Sequence, residues 1–176
     1  PDAWSIDTSA SNSDVVIGGT LTAAGNGDVA FYAGTGNVTI SGNGNELSDV
    51  RVIRHGGTGT VTIDSDLDST GGMFFDGLID TATGSSFVVN GEITGAGAIQ
   101  LRNDALVTLT SDNSDTSGSG GQAAYTGDWN INSGVGNPIL TITNENALGT
   151  GNTLTLNNTG ARLNVDTDGT IETGIT

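Results

Sequence analysis

The sequence predicts an all-β fold, a β-solenoid of about seven coils of roughly 23 residues each. Three observations predict it: a composition that disfavours helices, two interleaved ladders of apolar pairs with one shared period, and turn-forming residues between the pairs. Gly (29), Thr (26), Asn (17), Asp (16) and Ser (15) make up more than half of the 176 residues, while Lys is absent and Glu occurs four times. These residues are weak helix formers and the strong ones are scarce, which excludes a helical bundle.

The first ladder reads Val15/Ile17, Val38/Ile40, Val61/Ile63, Phe87/Val89, Val107/Leu109, Trp129/Ile131 and Leu154/Leu156, with steps of 23, 23, 26, 20, 22 and 25 residues. Between its rungs falls a second: Val29/Phe31, Val50/Val52, Met73/Phe75, Ile99/Leu101, a weak Ala123/Tyr125, Leu140/Ile142 and Leu163/Val165. Each pair has the apolar-x-apolar alternation of a strand with one buried face. A fixed period repeated by both ladders suits stacked coils, none of which buries its inward face alone. An antiparallel sandwich also uses short strands and Gly-rich turns, but has no reason to keep one period over six steps. Gly and Asn supply the corners where successive strands turn. Residues 1–176 therefore read as one β-solenoid domain. The start at Pro1 and the strand-like ending Thr170-Ile171-Glu172-Thr173-Gly174-Ile175-Thr176 lead us to expect a processed or excised segment of a longer exported protein.

Four cations, Arg51, Arg54, Arg102 and Arg162, stand against twenty carboxylates, a formal net charge of −16. Nucleic acid and anionic membrane are thereby disfavoured as partners, because both need basic clusters. No apolar run approaches the ~20 residues of a membrane span, so no membrane insertion by this segment is expected. Zero Cys removes disulfides, thiolate metal sites and thiol catalysis.

The most specific signal runs from Phe87 to Val165, through VVNGEITGAGAIQLRNDALVTLTSDNS, AYTGDWNINSG and NENALGTGNTLTLNNTGARLNV. It resembles the passenger-associated repeat of bacterial autotransporters. The matching positions are Gly91, Ile93, Gly95, Gly97, Leu101, Val107, Leu109, Asn113, Tyr125, Gly127, Gly134, Ala147, Leu148, Gly149, Gly151, Leu154 and Leu156. The resemblance implies a right-handed parallel β-helix on an exported, cell-surface protein. Two departures are expected as loops on one edge of the rod: Ser114 to Ala123, and Gly136-Asn137-Pro138.

Candidate chemistry is sparse. Asp64-Ser65-Asp66-Leu67-Asp68 is the densest carboxylate cluster, echoed by Asp166-Thr167-Asp168-Gly169. Alternate Asp in a turn offers several oxygens to Ca²⁺. An EF-hand loop would need its final ligand where Phe75 stands, however, so the cluster reads as solvated acidic corners. His55, the one histidine, follows Arg54 and is expected in an exposed polar pair at a corner after an inward Val52. β-Helix polysaccharide hydrolases and lyases gather Asp with Arg, Lys or His on one sheet face; here there is no Lys for a lyase base and no Asp motif to pair with His55. Outward pairs Thr60/Thr62, Thr108/Thr110, Thr141/Thr143 and Thr153/Thr155 are of the kind ice-binding faces use, but Val88 and Asn130/Asn132 break the row and β-branched Thr is favoured on any exposed strand face. Trp129 is expected in the core rather than as a sugar platform, and Asn130/Asn132 and Asn157/Asn158 as stacked amides. No catalytic, cofactor-binding or metal-ligating residue is assigned. The expectation is an extracellular structural or adhesive rod at the bacterial cell surface. It would associate end to end into oligomers or filaments, take host or surface glycans as partners and use no cofactor. The alternatives are a carbohydrate-active β-helix enzyme and a Ca²⁺- or ice-binding module.

Overall fold

The computed structural model describes residues 4–19, 22–41, 46–77, 84–114, 123–131, 135–157, 159–171 and 173–175. Among them the first strands are β1 (Trp4–Asp7), β2 (Val15–Ile17), β3 (Thr22–Gly34), β4 (Val38–Ile40), β5 (Glu46–Gly57), β6 (Thr60–Ile63), β7 (Asp66–Asp68), β8 (Met73–Asp76) and β9 (Ser85–Val89). There follow β10 (Ile93–Thr94), β11 (Ile99–Arg102), β12 (Ala105–Leu109), β13 (Trp129–Ile131), β14 (Ile139–Ile142), β15 (Thr153–Leu156), β16 (Arg162–Val165) and β17 (Gly174–Ile175). All pair in parallel, and the sole antiparallel contact among the described residues is an isolated bridge between Thr94 and Ala124. The chain is a β-solenoid of about six turns, about 24 residues apart. A major sheet runs β1-β3-β5-β8-β11-β13-β15-β17, with β7 and β10 branching from β5, and a minor sheet runs β16-β14-β12-β9-β6-β4-β2.

The inward columns are those expected at the start of the chain and differ towards its end. Val15, Val38, Val61, Phe87 and Val107 stack in register in the minor sheet, as predicted. The next rungs of that sheet are Leu140/Ile142 and Leu163/Val165, which the spacing had assigned to the other ladder. Trp129/Ile131 and Leu154/Leu156 stack instead on Ile99/Leu101 in the major sheet. The exchange has a simple cause. The coil from Val107 to Leu140 holds 33 residues, and Tyr125, read as a weak rung, lies in its enlarged corner rather than in either sheet.

The second difference is in β5. Between Gly27↔Val50 and Asp28↔Val52 the register shifts by one residue, so β5 carries a bulge at Arg51. The inward positions after it are Ile53 and His55, stacked on Val29 and Phe31, and Val52 turns away from the core cluster.

The motif residues from Ile93 to Leu148 have a structural role that joins coils. Asn113 is buried; its Oδ1 accepts from the Ile93 backbone N–H (2.7 Å) and its Nδ2 donates to the Ala147 carbonyl (2.6 Å). The Tyr125 hydroxyl lies between the carbonyls of Gly97 (3.2 Å) and Asp128 (3.1 Å), and its ring meets Trp129 edge-on at 5.3 Å. Trp129, fully buried as expected, donates Nε1–H to the Leu148 carbonyl (3.0 Å). At Gly97 a Cβ would run into the Ser69 carbonyl oxygen of the preceding coil, so only glycine allows this approach. Gly134 of the motif, the loop residues 115–122, Asn132 and Asn158 lie outside the described residues.

Candidate functional site

The acidic residues serve mainly as hydrogen-bond acceptors between coils. At a corner the backbone N–H turns out of the sheet ladder and needs another acceptor. Asp14 Oδ1 accepts from Asn37 N (2.7 Å), Asn37 Oδ1 from Thr60 N (3.0 Å), Asp104 Oδ1 from Asn137 N (2.8 Å) and Asp128 Oδ1 from Thr153 N (2.9 Å). Of the Ca²⁺ candidates Asp64 and Asp66 also bridge coils whereas Asp68 binds locally, two residues on, and Asp66 and Asp68 stand on strand β7 rather than at the corner expected. Asp64 Oδ1 accepts from Asn90 Nδ2 (2.8 Å), Asp66 Oδ1 from Glu92 N (2.9 Å) and Asp68 Oδ1 from Thr70 N (2.9 Å). Among the described residues no three His, Cys, Asp or Glu side chains come together as a metal-ligand group. Asp166 and Asp168 are exposed. Asp168 lines an open depression of about 550 Å³ with Thr143, Asn144, Glu145, Thr167 and Gly169.

His55 is not the exposed corner residue expected from the sequence. The bulge at Arg51 shifts the alternation and turns His55 into the core, where it is fully buried and meets the Phe87 ring edge-on at 6.1 Å. Its Nε2 is 2.8 Å from the Gly59 carbonyl, while Nδ1 has no hydrogen-bond partner. Burial lowers its pKa below the ordinary histidine value, opposed in part by the backbone of Gly59 and Phe31. Arg54, its sequence neighbour, points to the opposite face, so the two do not form one site.

That opposite face, the outside of the major sheet, gathers a group of side chains that the sequence reading did not single out. Phe74 lies between two inward residues, Met73 and Phe75, and belongs to no part of the core cluster, yet it is 9% exposed. Arginines cover it: Arg102 Cζ lies 3.7 Å and Arg51 Cζ 5.4 Å from the ring centroid. Arg54 donates from Nε (3.0 Å) and NH2 (2.8 Å) to Asp76 Oδ2, which raises its pKa further. The other Asp76 oxygen accepts from Asn103 Nδ2. Along the strand-stacking direction Phe74 is followed in register by Gln100, Asn130 and Thr155, all half-buried. A signal for this face was present: three consecutive apolar residues, Met73-Phe74-Phe75, break strict alternation and force one of them outward.

The threonine row resolves differently from the expectation. On the minor sheet the outward column is Val16, Thr39, Thr62, Val88, Thr108, Thr141 and Asn164. Val88 interrupts it as expected, whereas Asn130 and Thr155 stand on the major sheet and are no part of it.

No family model matches the sequence, and no curated protein and no solved structure shows significant similarity to it.

Proposed function

We propose that the chain is an extracellular structural or adhesive rod, displayed at a bacterial cell surface in the manner of an autotransporter passenger, whose outer sheet faces make the contacts. One observation carries the reading. Among the described residues His55 sits inside the core and Asp14, Asp66, Asp104 and Asp128 accept from backbone amides of neighbouring coils, so these side chains hold the stack together and the two extended sheet faces offer the broad surface for partners. A repetitive rod stiffened by coil-to-coil hydrogen bonds suits display and spacing. The resemblance of residues 87–165 to the passenger-associated repeat supports an exported setting.

Self-association through the outermost rungs belongs to the same proposal. Among the described residues β2 and β16 bound the minor sheet, and Val16 (72%) and Val165 (49%) are the exposed apolar residues there. Strand edges of this kind template further pairing. Antibodies raised against the chain should label intact, unpermeabilised source cells. Labelling that appears only after lysis would refute surface display.

A further inference from the structure

We propose that the outer face of the major sheet around Phe74 binds a glycan that carries a single acidic sugar, its carboxylate held by Arg51 and Arg102. The proposal rests on the adhesive reading above and gives it a site and a partner class.

The first argument is where the cations lie. Three of the four arginines in a chain of net charge −16 are on β5 and β11, the two strands that flank β8. The bulge in β5 falls at Arg51, and bulges re-aim side chains. The result is two guanidinium groups drawn to one ring, Arg51 from one side strand and Arg102 from the other.

The second is which charges are already matched. Arg54 is paired with Asp76, with Asp28 also close enough to act on it, and Asp76 is held from its other oxygen by Asn103. Arg102 reaches Gln100 Oε1 at 3.3 Å. Among the described residues neither Arg51 nor Arg102 pairs with a carboxylate, and both are exposed. A ligand carboxylate at this position gains charge-assisted hydrogen bonds from two guanidinium groups already gathered over the Phe74 ring.

The third is what surrounds them. Gln100, Asn130 and Thr155 continue the Phe74 column across three strand steps, roughly 14 Å at the usual strand spacing. They are neutral amide and hydroxyl groups, donors and acceptors of the kind that sugar hydroxyls pair with. The length suits a short oligosaccharide laid along the stack.

The overall charge then selects among acidic ligands. A polyanion would meet the field of the remaining carboxylates within a Debye length of about 8 Å at physiological salt. One acidic unit followed by neutral sugars avoids that repulsion.

Binding can be followed by titration of the intact chain with 3′-sialyllactose and with cellobiouronic acid, against lactose, cellobiose and hexaglutamate. Saturable binding of at least one acidic saccharide is expected, with its neutral counterpart weaker by roughly tenfold or more. Arg51→Gln and Arg102→Gln should each weaken that binding to a similar extent, and Arg162→Gln, on the other sheet, should leave it unchanged. Thermal melts of the three variants serve to separate lost contacts from lost fold. The proposal is overturned if neither acidic saccharide binds, if the neutral sugars bind equally well, if Arg162→Gln weakens binding as much, or if hexaglutamate binds more tightly than both saccharides. If intact cells are labelled while neither saccharide binds, the glycan site alone is wrong; if labelling fails, the adhesive reading itself falls.

Discussion

His55 should make this rod acid-sensitive in a window where ordinary carboxylates stay ionised. In the folded chain its ring is fully buried against Phe87, one nitrogen faces the Gly59 carbonyl and the other has no partner. Protonation would place a charge in an apolar column, so burial holds the folded-state pKa below the unfolded value although the backbone of Gly59 and Phe31 opposes it. The stabilisation due to neutral His55 is therefore complete above the unfolded-state pKa and is lost as pH falls through that value towards the lower, folded one. If the folded ring stays neutral throughout, moving from pH 7 to pH 5.5 costs up to about 1.2 kcal/mol, taking ~6.5 for the unfolded histidine. Urea melts at constant ionic strength are the appropriate assay, because guanidinium salt would also screen the net charge of −16. His55→Phe keeps an aromatic between Phe31 and Phe87 and gives up the contact to Gly59, so it should be less stable at pH 7 by about 1 kcal/mol yet show no fall in this window. A wild-type stability that is flat or rising from pH 7 to 5.5, or an equal fall in His55→Phe, would refute the reasoning.

Three further perturbations test the stack itself. Leu109→Asp puts a carboxylate between Val89 and Ile142 in a closed apolar column, and should cost several kcal/mol and melt neighbouring coils together; a circular-dichroism melt with unchanged midpoint and amplitude would count against the register. Asn113→Ala orphans the Ile93 N–H and the Ala147 carbonyl, a loss of about 2 to 4 kcal/mol, readable as a lower urea midpoint with local deprotection of the Ile93 amide in hydrogen exchange. Since Asp66 is engaged with the Glu92 backbone amide, millimolar Ca²⁺ should raise the melting temperature no more than the same ionic strength of NaCl, and Asp66→Asn should not alter that small rise; a Ca²⁺-specific shift abolished by Asp66→Asn would contradict the acceptor role.

How far the sequence determined these conclusions varies along the chain, for physical reasons. In the minor sheet the inward pairs from Val15 to Leu109 recur at nearly constant spacing, and reading that period is enough to place each rung on its neighbour. A bulge changes facing without changing composition, and β5 shows the consequence. The stretch Val50-Arg51-Val52-Ile53-Arg54-His55 contains one apolar-x-apolar pair, so alternation alone favours Val50/Val52 and leaves His55 outside. Of the carboxylates read as acidic corners, Asp66 and Asp68 stand on strand β7, and the acceptor role of Asp64 and Asp66 depends on groups about one coil away in sequence, which no local pattern reveals. The Phe74 face was missed for a related reason. Arg51, Phe74 and Arg102 belong to three different coils and meet only through a register that the bulge defines.

The enlarged coil shows what sets that register. Val107 and Leu140 are 33 residues apart, yet β12 and β14 pair without a shift, just as β4 and β6 do at a spacing of 23. Bonds between described residues on either side of the added length fix the re-entry into the stack. Asp104 Oδ1 accepts from Asn137 N (2.8 Å), Asn146 Nδ2 donates to Asp112 Oδ2 (2.9 Å) and Asn113 Nδ2 to the Ala147 carbonyl. Coil length is therefore free where corner side chains and inward columns on both sides remain complementary. Closing a loop ten residues longer adds only a small entropic cost, since that cost grows with the logarithm of length. Insertions at this corner can change without disturbing the faces, and substitutions on the faces can change without disturbing the corners. A solenoid with these two independent variables can keep one core while its outer faces diverge.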